Sequence, residues 1–152
     1  MGARRLEGAF DAGAVLALLR RAFAPMEGVI DPPSSLHRLT ECELRRQAEA
    51  GEVWALGDPV MACMVLTPKD GVLYLGKLAV EPALQRRGHG RVLVEQAVAR
   101  ARVLGFPAVE LQVRVELTGN QAAFAAMGFV EVGRTAHAGY DRPTSVTMRR
   151  AV

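Results

Sequence analysis

No apolar run in these 152 residues approaches the roughly 18 needed to cross a bilayer, so a membrane-spanning helix is not expected. The first residues carry Arg4, Arg5, Glu7 and Asp11 where a secretory signal would have an apolar stretch, so export is not expected either. Cysteine is scarce: Cys42 and Cys63 make no metal-ligand spacing with each other or with His37, His89 and His137. A pair of cysteines in a chain of this size reads as two free thiols, which points to a reducing cytoplasm and to no metal site. Aromatic residues make up 5% of the chain, and only two of the basic residues are lysines. The net charge of +3 comes from arginines spread along the chain, with doublets at Arg20–Arg21, Arg45–Arg46, Arg86–Arg87 and Arg149–Arg150. Nucleic-acid binders carry a basic stripe with aromatics or a recognition motif, and neither is present. Nucleic acid and membrane are therefore not expected partners.

The chain does contain enough apolar sequence, half of its residues, for one domain over 1–152 with a buried core. Asp11 caps a helix through about Ala24, with Val15, Leu16, Leu18, Leu19 and Phe23 on its apolar face. A long loop from Pro25 to Leu39 follows, and loops of this length tend to carry function. Thr40 with Glu43 three residues on forms a capping box for a helix that stops at Gly51. Strands follow over Glu52–Leu56, Pro59–Leu66 and, after the hairpin signal Asp70–Gly71, Val72–Val80. Gly90–Leu104 is an amphipathic helix with Leu93, Ala97, Ala101 and Leu104 on one face. A strand at Ala108–Val115, a short helix at Asn120–Met127 and strands at Val130–Ala138 and Thr144–Arg150 complete a mixed α/β sheet with helices on its faces.

The segment that carries chemistry is Gln85-Arg86-Arg87-Gly88-His89-Gly90, which joins a strand to a helix. The first turn of a helix has unpartnered N–H groups and the positive end of the macrodipole, so an anion is a natural ligand there. Glycines at 88 and 90 leave room for the backbone to fold round it, and Arg86, Arg87 and Arg91 add positive charge. No Lys-Ser/Thr pair follows the second glycine, which excludes a P-loop. Leu93 stands where a dinucleotide fingerprint has its third glycine. A bare G-x-G is equally well explained as a tight turn.

The wider run Leu78-Ala79-Val80-Glu81-Pro82, then Gln85-x-x-Gly88-x-Gly90-Arg91 and an amphipathic helix, resembles motif A of the GNAT superfamily of N-acetyltransferases. Asn120 to Gly128-Phe129 resembles that family's fourth helix and the "GF" that enters the next strand. The resemblance implies the GNAT fold: a mixed, mostly antiparallel central sheet, splayed between strands 4 and 5 and flanked by about four helices. It implies acetyl-CoA as cosubstrate. The backbone matching Leu78, Ala79 and Val80 would pair with the pantetheine arm, and Gln85 to Arg91, with His89 in the loop, would hold the pyrophosphate. Asn120 matches a polar residue near the pantetheine. The acceptor would be a primary amine of a small molecule or peptide, and homodimers are common in the family.

Direct attack on a thioester needs a neutral amine, a fixed donor for the oxyanion and a proton for the departing thiolate. By resemblance the backbone N–H near Val80 is the oxyanion donor. The family's usual tyrosine on the fourth helix is Phe124 here, which packs against the pantetheine but donates no proton. His137 and Tyr140, in the turn between the last two strands, are the candidate proton carriers, although an exposed hairpin explains them as well. Lys77 interrupts an apolar strand, and either snorkels to an edge or projects into the cleft. Two alternatives stay open: a catalytically silent domain that binds acetyl-CoA as a sensor, and a nucleotide-binding protein using the same loop.

Overall fold

Among the described residues the chain builds seven strands and four α-helices: β1 (Arg4–Leu6), α1 (Ala12–Phe23), α2 (Glu41–Ala50), β2 (Glu52–Leu56), β3 (Ala62–Lys69), β4 (Val72–Val80), α3 (His89–Leu104), β5 (Ala108–Arg114), α4 (Thr118–Ala126), β6 (Val130–Thr135) and β7 (Ser145–Ala151). The structure, a computed structural model, describes residues 2–152. The expected caps form. The Asp11 carboxylate accepts from the Ala14 N–H at 3.0 Å, and the Thr40 hydroxyl accepts from the Glu43 N–H at 3.2 Å. The return arm of the capping box differs, because the Glu43 carboxylate meets the Thr40 hydroxyl (3.3 Å).

Strand order is β1-β2-β3-β4-β5-β7-β6, antiparallel except for the central β4–β5 pair. Strand β1 was not visible in the pattern, since three residues carry no period. Strand β3 starts three residues later than the pattern suggests, because Gly57 to Met61 make a turn closed by a Met61 N–H to Leu56 C=O bond of 2.9 Å.

Alternation along the strands divides the core in two. Leu73, Leu75, Val109 and Leu111 face α3, which buries Leu93, Val94, Ala97, Val98 and Ala101 against them. Leu104, expected on that face, is 43% exposed at the end of α3. Val53, Ala55, Cys63 and Val65 face α1 and α2 on the other side. Helix α4 buries no residue fully and lies at the margin of the α3-side core, where Phe124 meets Phe129 edge to face (centroids 5.8 Å, 73°).

The parallel pair at the centre is brief. Only Leu73 with Val109 and Tyr74 with Glu110 are in register, although β4 continues to Val80 and β5 to Arg114. Beyond Tyr74 the strands diverge and leave a wedge-shaped gap in the middle of the sheet. A bulge sharpens it: Cys63 pairs with Ala79 and Val65 with Gly76, so Lys77 and Leu78 both oppose Met64, and Lys77 takes φ +50°.

Candidate functional site

The loop between β4 and α3 folds as an open cradle. A short 3-10 turn, Pro82–Leu84, leads into Gln85, and Arg86 (φ +65°) and Gly88 (φ +86°) bend the chain through left-handed conformations. Gly88 caps α3 without a side chain, and the first helical bond runs from the Val92 N–H to the Gly88 C=O at 3.1 Å. The N–H groups of His89, Gly90 and Arg91 thus lack helical acceptors. A Cβ placed on Gly88 or Gly90 would meet nothing within 4 Å, so the space before these amides is free. Arg86, Arg87 and Arg91 have no ion pair among the described residues. Amides, helix dipole and guanidiniums together fit a multiply charged anion such as a pyrophosphate.

This cradle is one end of a cleft of about 790 Å³ that runs along β4 to α4. Leu78, Ala79, Val80, Gln85, Arg86, Gly88, His89, Gly90, Arg91, Asn120 and Phe124 all line it. Arg87 does not, and its side chain is exposed. The Glu81 N–H bonds the Met61 C=O on the β3 side at 2.8 Å, so the alternation of a strand turns the Val80 N–H and C=O to the opposite, open edge. The Val80 C=O is met there by the Gln85 side-chain amide at 3.1 Å.

A second chamber of about 240 Å³ adjoins the first across Phe23, Leu78, Asn120 and Phe124. It sits in the gap between β4 and β5, floored by Tyr74 to Leu78 and by Leu111, Gln112 and Arg114. The loop between α1 and α2 roofs it through Met26, Ile30, Ser34, Ser35 and Leu36. That roof is pinned from below: Arg114 donates to the Pro32 C=O (2.7 Å) and Pro33 C=O (3.4 Å), and Glu116 accepts from the Asp31 N–H (3.2 Å).

His137 and Tyr140 lie away from both chambers. The His137 imidazole and N–H are tied to the Thr144 hydroxyl within the β6–β7 turn. The Tyr140 hydroxyl donates to the Asp31 carboxylate at 2.5 Å, and Arg142 holds its other oxygen at 3.0 Å. The hydrogen bond to Asp31, then partial burial and the Asp31 charge, push the Tyr140 phenol above its ordinary pKa. Tyr140 thus fastens the far end of the roof. No spacing in the sequence signals a contact between residues 109 apart. Lys77 did carry a signal, as the one cation in an apolar strand. Gln121, which spans the Arg114 and Val115 carbonyls at 3.1 Å each and docks α4, had none.

The family model for the acetyltransferase (GNAT) family matches residues 15–129. The chain belongs to this family. Among solved structures, the GNAT fold seen here is similar to the ribosomal-protein-S18-alanine N-acetyltransferase of Escherichia coli (TM-score 0.74, 21% identity, 98% of this chain and 92% of that one). It is similar to the PaiA N-acetyltransferase of Thermoplasma acidophilum, solved with coenzyme A (TM-score 0.77, 12% identity, 100% of both chains). A GNAT family acetyltransferase of Elizabethkingia anophelis with acetyl-CoA bound is also similar (TM-score 0.70, 14% identity, 99% of this chain and 97% of that one). No curated protein sequence matches the chain. The central gap between β4 and β5 and the cradle at α3 occupy the stretch that carried the GNAT resemblance in the sequence.

Proposed function

We propose that this GNAT protein transfers an acetyl group from acetyl-CoA to a primary amine of a small molecule. One observation carries the reading. An anion cradle at the start of α3 opens onto an unpaired edge of β4, and a separate roofed chamber meets that edge from the opposite side. A long anionic cofactor and a small acceptor can therefore reach one point from two directions. The coenzyme A and acetyl-CoA seen in two structural neighbours support the choice of cofactor.

In this reading the amides of residues 88–91 hold the pyrophosphate, with the Arg86 and Arg91 side chains and His89 and Gln85 around it, while Arg87 adds positive charge from outside the cleft. The backbone of Leu78, Ala79 and Val80 pairs with the pantetheine arm, which Asn120 and Phe124 cover from α4. When bound, acetyl-CoA supplies an activated thioester, whose C–S bond is exchanged for a C–N bond while the amine's proton ends on the thiol. The Val80 N–H, turned to the open edge, is the donor for the oxyanion. Phe124 supplies no proton, and a thiol with a pKa of about 8.5 leaves as thiolate without one. His137 and Tyr140 hold the roof in this account rather than move protons, so the amine enters already neutral.

The absence of a proton donor at Phe124 also favours a second reading, a silent domain that binds acetyl-CoA as a sensor. Thiol release, measured with acetyl-CoA and a panel of amines, separates the two. Transfer predicts release that depends on an amine. Tight binding in calorimetry with no release on any amine supports the sensor. ATP competing with CoA at equal affinity would overturn both in favour of a nucleotide site.

A further inference from the structure

The acceptor chamber has a charge of one sign. Lys77 and Arg114 line it, and among the described residues no carboxylate does. Lys77 is half-buried, and its ammonium has no ion pair or hydrogen bond among the described residues. The carboxylate whose charge reaches it is Glu43 on α2, which lies outside the chamber's lining and accepts from the Thr40 hydroxyl through one oxygen. Arg114 uses two guanidinium nitrogens on the Pro32 and Pro33 carbonyls and keeps further N–H donors free. Burying part of an ammonium without a partner costs free energy, so proteins rarely place one in a cleft without an anion to meet it.

The backbone is bent to make this placement. In a regular strand residue 77 would follow 73 and 75 onto the face packed by α3. The bulge sends Leu78 and Val80 to that core and Ala79 to the opposite one, and Lys77 leaves the α3 face at the expense of a positive φ. A non-glycine residue held in that region is uncommon and concentrates at functional sites. The rest of the lining mixes apolar side chains such as Phe23, Ile30 and Leu111 with uncharged polar ones such as Ser34, Gln112 and Asn120.

We propose that the acceptor amine also carries a carboxylate, which Lys77 binds with help from Arg114, and that the acceptor is a free amino acid with an uncharged side chain. The inference rests on the acetyl-transfer reading and narrows its substrate. The chamber's 240 Å³ suits a molecule of that size. Polyamines and aminoglycosides, with several positive charges, are repelled by the same two cations.

The test compares leucine, leucinamide and 3-methylbutylamine as acceptors, with N-acetylleucine and N-acetylleucinamide as ligands of the CoA-saturated protein in calorimetry. Leucine is expected to exceed the amide and the amine in kcat/KM by about 10- to 100-fold, the range of one hydrogen bond to a charged group. N-acetylleucine is expected to bind more tightly than its amide by a similar factor. Lys77→Met should erase both preferences and leave CoA affinity unchanged, while Lys77→Arg should restore part of them. Equal use of all three amines, or preference for the uncharged ones, overturns the inference and leaves acetyl transfer standing. Carboxylate binding that depends on Lys77, with no thiol release, keeps the anchor and removes acetyl transfer.

Discussion

Replacing Gly90 with alanine should weaken CoA binding while leaving the fold as stable as before or slightly more so. Gly90 is the second residue of α3 and has an ordinary helical φ, and a Cβ there would meet no protein atom within 4 Å. Alanine gains about 0.8–1.0 kcal/mol over glycine inside a helix, and less in the first turn, so about 0.5 kcal/mol is expected. In a domain of this size that raises Tm by about 1–2 °C. The methyl group would occupy the free space in front of the unpartnered amides. Displacing a phosphate from one such N–H forfeits a charged hydrogen bond of about 1.5–3 kcal/mol, or about 10- to 100-fold in affinity. Gly88→Ala makes the contrast, because φ +86° adds about 1–2 kcal/mol of backbone strain. That variant should lose both affinity and Tm. Calorimetric titration with CoA and thermal melting of the unliganded proteins measure both quantities. Gly90→Ala binding CoA with wild-type affinity would falsify the cradle.

Four further outcomes follow from the geometry. Tyr140→Phe removes the bond that fastens Asp31 and the roof, so the acceptor KM should rise several-fold while CoA affinity stays level; parallel loss of both would show a wider role. Phe124→Tyr should change kcat by less than about threefold, since a thiolate of pKa about 8.5 departs unaided; a large gain would show that a proton was rate-limiting. Glu52 is 7% exposed and held by Arg100 (2.9 and 2.5 Å) and the Trp54 indole N–H (2.8 Å), so Glu52→Gln should cost about 2–4 kcal/mol in urea unfolding. Burial alone would raise that carboxyl's pKa, but the Arg100 and Trp54 bonds and the Arg100 and Arg5 charges outweigh it and hold it low. Its stabilisation is therefore complete at neutral pH and lost as pH falls through the lowered pKa, and the Gln variant should show a flatter acid limb.

The pH profile of kcat/KM tests the chamber. It should rise with deprotonation of the acceptor amine, with no inflection from a histidine. Burial lowers the Lys77 pKa, and the Glu43 carboxylate from α2 partly restores it; the Cys63 thiol from β3, pushed up to about 12 by its own burial, stays uncharged, and Tyr74 and Arg114 are the other titratable or charged groups of the chamber. A cation with a lowered pKa loses its charge sooner as pH rises, so carboxylate binding should fade below the ordinary lysine value of 10.5. Lys77→Met should abolish that falling limb; a limb that persists in the variant would assign it elsewhere.

Much of this architecture was legible in the sequence because local chemistry specifies it. Asp11 and Thr40 cap their helices, Gly105 ends α3 at φ +81°, and alternation marks the buried strands. The cradle was legible for the same reason, since glycines and arginines at the start of a helix are a local signature. What escaped was long-range. Strand β1 exists only by pairing Arg4 to Leu6 with Val53 to Ala55, and the roof depends on Asp31 meeting Tyr140 and Arg142 from the far end of the chain. His137 and Tyr140 were chosen for their chemistry, and chemistry alone does not say which way a turn will face. The bulge at Lys77 is likewise set by register with β3, which no periodicity in β4 reveals.

The two-pair contact between β4 and β5 has a consequence for the lifetime of the protein. Past Tyr74, the central sheet presents an unpaired edge where other sheets have a neighbour. On the proposed function the pantetheine arm supplies that neighbour, so the cosubstrate is a structural member as well as a reactant. Ligand at a hundred times its Kd adds about 2.7 kcal/mol to the folded state. The abundance of the protein in a cell would then track the supply of CoA and acetyl-CoA, which share that arm, with turnover of the empty form fastest when both are scarce.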